Sequence, residues 1–61
     1  MSKGKALRLL NKMIDTLPDG MDIVLSRDLF TILALTEHRG VKIETHPSVP
    51  KRSMYGIKLE D

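Results

Sequence analysis

The sequence has no cysteine, and Phe30 and Tyr55 are its only aromatic residues. Without cysteine there is no disulfide framework and no thiolate zinc site, and two histidines do not by themselves make a structural zinc site. So few aromatics argue against sequence-specific binding of single-stranded nucleic acid, which stacks bases on several exposed rings. No apolar run approaches the roughly 20 residues of a membrane span. The N-terminal MSKGKALRLL is positively charged but lacks the continuous apolar stretch and small-residue cleavage site of a secretory leader. There is no glycine-rich phosphate loop, and Ser26, Ser48 and Ser53 have no nucleophile-elbow context. Turns and caps account for Asp15, Asp19, Asp22 and Asp28 without paired acid–base chemistry. A chain this short also has difficulty enclosing a substrate pocket of about 300 Å³ or more. These absences point away from an enzyme, a metal or cofactor site, a small-molecule substrate and a membrane protein. A soluble cytoplasmic chain is the expectation.

What is present is aliphatic. The 61 residues make a single domain, 1–61, rich in leucine, isoleucine, valine and methionine. A chain of this size buries only about 60% of its unfolded surface, so packing against another chain is one way to complete its core. The net charge of +2 is too small to imply a polyanion partner, and its distribution is more informative. Positive charge gathers in the first stretch, at Lys3, Lys5, Arg8 and Lys12, and again at Lys51-Arg52, while Glu60-Asp61 close the sequence with two acids.

Periodicity predicts five elements. KGKALRLLNKMIDTL reads as an amphipathic helix with Leu10, Met13, Ile14 and Leu17 on one stripe, widened by Ala6 and Leu9. Lys5, Arg8 and Lys12 line the opposite face. Ser2 is the expected N-cap, and Pro18-Asp19-Gly20 stops the helix. MDIVLS alternates as a short strand. Ser26 then caps a second helix, RDLFTILALTEHRG, with His38 and Arg39 in its last turn and Gly40 as its C-cap. VKIETH and MYGIKLE alternate as strands, the second with Tyr55, Ile57 and Leu59 facing the core, and the loop PSVPKRS joins them as a hairpin. The predicted fold is α+β in the order α-β-α-β-β: a small antiparallel sheet, with a C-terminal β-hairpin, packed on two helices.

This order, with a basic loop between the last two strands, resembles that of winged-helix DNA-binding domains across nearly the whole chain. The resemblance implies that VKIETHPSVPKRSMYGIKLE is a wing whose Lys51 and Arg52 meet phosphates. Two helices normally stand between the first strand and the wing in that family, the second entering the major groove. Only SRDLFTILALTEHRG fills that interval here, which removes the usual recognition helix.

The candidate nucleic-acid contacts are thus Lys51, Arg52, Lys5, Arg8, Lys12 and Lys3, each a phosphate-neutralising cation or else an ordinary solvated charge. His38 and His46 match no metal-binding spacing. They read instead as a helix C-terminal cation and an exposed strand-end residue. The second helix is apolar most of the way round, and Val24, Val49 and Met54 fall off the predicted core faces. With a free strand edge these make a surface for self-association or docking, for which Phe30, Leu35, Val49 and Met54 are the candidates. Two functions follow as expectations. One is a small non-enzymatic module, with a homodimer among its expected states, contacting the backbone of duplex DNA in a regulatory or accessory role. The other is an adaptor or inhibitor, of the kind carried by phages and mobile elements, that docks on an acidic protein surface through helix 2 and the sheet edge.

Overall fold

The computed structural model describes residues 1–58; Leu59, Glu60 and Asp61 lie outside the described residues, and with them the expected core position of Leu59. The first helix, α1 (Lys3–Thr16), begins where the Ser2 hydroxyl accepts the Lys5 amide at 3.2 Å. Its buried stripe is Ala6 and Leu10, with Leu7, Met13, Ile14 and Leu17 packed around them. Leu9, expected to widen that stripe, is 38% exposed. Leu17 leaves the helix in an extended conformation, and Gly20 (φ 81°) turns the chain into β1 (Met21–Leu25).

The second helix, α2 (Arg27–Leu33), is half the expected length. Ala34 ends it in the left-handed region (φ 52°), its amide bonded to the Phe30 carbonyl at 2.8 Å. The residues read as its last turn form instead a two-residue strand, β2 (Glu37–His38), which folds back on β3 (Val41–Thr45). The tight turn between them is Arg39 (φ 54°) and Gly40 (φ 80°). Both central residues at positive φ is the pattern of a two-residue hairpin turn, so Gly40 serves a hairpin rather than a helix end. His38 is accordingly no helix-terminal cation: its Nε2 meets Asn11 Oδ1 at 2.8 Å. Arg39 reaches Asp15 at 2.9 Å, so this turn is pinned to α1.

The last strand is β4 (Met54–Lys58), and the sheet order is β2-β3-β1-β4. The α+β class holds, with two helices on one face of the sheet, and two features differ from the expectation. The sheet is mixed, because β1 runs parallel to β3 and antiparallel to β4. The expected C-terminal hairpin is absent, because β1 lies between the two strands that would have formed it. Residues 46–53, taken as the tip of a wing, are a connection that crosses the end of β1.

Register settles which residues face the helices. Leu25 pairs with Met54, Ile23 with Gly56 and Ile23 with Ile43, and Ile23, Leu25 and Ile43 are core residues together with Leu29 and Leu33 of α2. Met54 and Gly56 therefore face the helices, while Tyr55 and Ile57 share the open face with Val24 and Glu44. That reverses the expected facing of this strand, and Tyr55 is 48% exposed. Gly56 lies close beneath the end of α1: a Cβ there would stand 2.6 Å from Leu17 Cδ1, so a larger residue needs that side chain to move. Asp22, in the central strand, is buried, and its Oδ2 has no hydrogen-bond partner among the described residues.

Candidate binding groove

β4 is an edge strand. Ser26 donates its amide to the Ser53 carbonyl at 2.9 Å, which fixes the phase of the β1–β4 ladder. Antiparallel ladders alternate, so Tyr55 and Ile57 turn their N–H and C=O toward β1. Met54, Gly56 and Lys58 then turn theirs outward, where no strand among the described residues meets them.

The connection that leads into this edge is held at several points. Nδ1 of His46 accepts the Ser48 amide at 3.1 Å and meets the Ser48 hydroxyl at 2.6 Å, and Val49 donates to the His46 carbonyl at 3.1 Å. Ser53 donates to the Pro50 carbonyl at 3.2 Å. Arg52 sits in the left-handed region (φ 59°) and donates its amide to Asp28 Oδ1 at 3.3 Å. The Asp28 carboxyl is held below its ordinary 3.8, first by the nearby Ser26 side chain; Ser26 Oγ itself makes no hydrogen bond among the described residues, so the contact with good geometry is the Arg52 amide. Partial burial opposes that shift, and the Arg52 amide adds to it. A hydrogen bond to the charged form favours that form, so the carboxylate anchors the loop in turn. The backbone of Arg52 is thereby fixed while its side chain stays exposed.

Between α1 and this edge runs a groove of about 470 Å³. Leu9, Met13 and Met54 give it apolar walls, with Thr16, Ser53 and Tyr55 beside them, and Lys12 and Arg52 bring the positive charge. Two of the cations singled out in the sequence are thus brought together. Lys51 is exposed next to Arg52, while Lys3, Lys5 and Arg8 are exposed along α1 and do not line the groove.

The apolar docking candidates separate. Phe30 and Leu35 pack against the core, which explains the unusual apolarity of the second helix: a short helix and the turn after it spend these residues on packing. Met54 lines the groove. Val49 lies on the opposite face, in a hollow of about 430 Å³ shared with Val24, Tyr55 and Ile57.

Leu9, Met13, Thr16 and Tyr55 were not singled out in the sequence as site residues. A signal for Leu9 was there, since at 100° per residue it falls between the apolar stripe and Lys12, where a helix flank meets its neighbour. Among the described residues no group of three or more His, Asp or Glu side chains gathers as a metal site, and no helix is long and apolar enough to cross a membrane. Compared with known proteins, the chain matches no family model, no curated protein and no solved structure.

Proposed function

We propose that this protein is a small non-catalytic interaction module, cytoplasmic and accessory or regulatory in role, that binds an acidic, extended polypeptide segment in the groove between α1 and β4. The observation that carries this reading is the meeting of Lys12 and Arg52 in an apolar groove beside a strand edge that is unpaired among the described residues. Outward N–H and C=O groups suit an added strand, apolar walls suit its alternate side chains, and the two cations suit carboxylates. Placing the binding surface here keeps the sheet edge of the expected docking surface and replaces helix 2 with α1. The test is fluorescence anisotropy with a labelled peptide of alternating leucine and aspartate. The peptide binds, and Lys12→Glu or Arg52→Glu weakens it by about tenfold or more, as expected for an interface charge reversal. Undiminished binding by both variants removes the groove from the account.

The same convergence favours a second reading, in which Lys12, Lys51 and Arg52 contact the phosphates of duplex DNA, with Lys3, Lys5 and Arg8 adding long-range attraction. Labelled duplex DNA, titrated at about 50 and 200 mM salt, separates the two, because phosphate contacts weaken steeply over that interval. Tight, salt-steep binding of the duplex with no binding of the peptide would make the nucleic-acid module the correct one.

A further inference from the structure

The β4 edge has two faces of different chemistry, and a strand added to it presents its side chains to both in alternation. On the helix side is the groove, with Leu9, Met13 and Met54 as apolar walls and Lys12 and Arg52 as its cations. On the open side stand Tyr55 and Ile57. We infer that the occupant is a segment in which glutamates alternate with β-branched residues, paired antiparallel to β4. Its glutamates face the groove, and its β-branched side chains pack on Tyr55 and Ile57. This inference rests on the proposed binding groove and names the sequence pattern that the groove selects.

The ladder decides which residue meets which face. Antiparallel pairing is the more stable polarity per residue, and residues directly opposite each other share a face of the sheet. Met54, Gly56 and Lys58 turn their backbone groups outward, so the residues opposite them make the hydrogen-bonded pairs and lie on the helix side. Tyr55 and Ile57 then meet their opposites in the non-hydrogen-bonded pairs, where side chains come closest. The open face is therefore where the occupant's side chains are read most directly. Among the described residues the exposed large apolar side chains are Met1, Leu9 and Tyr55, and the last two both line the groove. A β-branched residue opposite Tyr55 covers the exposed ring, and aromatic–β-branched pairs are among the favourable cross-strand pairs.

The helix side asks for an acid with an apolar stem. Of the outward-turned residues of β4, Met54 lines the groove and Gly56 and Lys58 do not, so the position opposite Met54 is the one beside the cations. Glutamate, longer than aspartate by a methylene, lays its stem against Leu9, Met13 and Met54 while its carboxylate reaches toward Lys12 and Arg52. Arg52 precedes the strand and has a positive φ (59°), so it meets this acid from the groove wall and not as a cross-strand neighbour.

Fluorescence anisotropy with a labelled peptide of alternating valine and glutamate tests this arrangement through the peptide's own amides. In the inferred pairing every glutamate N–H that lies along the edge bonds to β4, and every valine N–H points away from it. N-methylation at all glutamates therefore weakens binding by about tenfold or more, and N-methylation at all valines leaves it nearly unchanged. Tyr55→Ala weakens the valine–glutamate peptide by about two- to fivefold and leaves a serine–glutamate analogue unaffected, a difference that loss of the fold would not produce. The reverse methylation pattern, or equal loss at both positions, overturns the arrangement. So does a Tyr55→Ala effect that is the same for both peptides. If the leucine–aspartate peptide still binds in that case, and still weakens with Lys12→Glu or Arg52→Glu, the groove reading stands with an occupant placed differently. If neither peptide binds, both fall together.

Discussion

Lys12 on α1 and Arg52 in the connection before β4 line the same groove, although most of the chain lies between them in sequence. Their meeting depends on three contacts that involve neither charged group. The closure of α1 on Gly56 sets the helix flank, the Ser26–Ser53 bond sets the strand, and the Asp28–Arg52 bond fixes the backbone that carries the guanidinium. The site is therefore a product of the packing.

Ala34 is exposed and left-handed at the end of α2. Ala34→Gly removes the Cβ penalty at positive φ and is expected to stabilise the protein by about 0.5–1 kcal/mol. Were the helix to continue to Gly40, the same change would destabilise it by about 1 kcal/mol. Urea unfolding reads the sign directly.

Gly56→Ala is expected to cost about 1 kcal/mol or more, because the new Cβ must displace the Leu17 side chain. In a Leu17→Ala background the added cost should largely vanish. A double-mutant cycle that gives simple additivity would mean that the two residues do not meet.

Asp28 links stability to pH. Its carboxyl is held below the ordinary 3.8 in the folded protein, so its contribution is fully present above that value and is lost as pH falls through the lower native value. Asp28→Asn should therefore narrow the stability difference between neutral and strongly acidic solution. It should also free the Arg52 amide, seen as faster hydrogen exchange there. A variant with the same acid dependence and the same exchange as the wild type would remove this anchor.

Asp22→Val replaces a buried carboxylate that has an unpartnered oxygen with a β-branched residue in the central strand. Stabilisation of about 1 kcal/mol or more is expected from removing the unsatisfied group. A loss of stability in thermal unfolding would show that the carboxylate is satisfied in solution.

The sequence carried the local features and left the neighbours open. Helix α1, its Ser2 cap and the three longer strands follow from periodicity, because Leu10 and Ile23 each repeat at the spacing of their element. Alternation states which residues share a face, not which strand lies alongside, so nothing in VKIETH or MYGIKLE showed that β1 would separate them. The facing of β4 was also ambiguous locally, since both of its faces carry apolar residues, and the contact of Gly56 with Leu17, just past the end of α1, is long-range in sequence. The second helix was read too long because TEHRG has helix-ending residues that serve a tight hairpin equally well. The charges of the groove were visible as Lys12 and Arg52; the groove itself, and with it the part played by Leu9 and Met54, required the fold.

The most direct test of the groove is a backbone amide NMR titration of the labelled protein with the leucine–aspartate peptide. Binding in the groove is expected to concentrate shifts at Leu9, Lys12, Met13 and along Arg52 to Gly56, with β2 and α2 undisturbed. Shifts confined to Val24, Val49 and Ile57 on the open face of the sheet, or to Lys3–Arg8 at the start of α1, would contradict it.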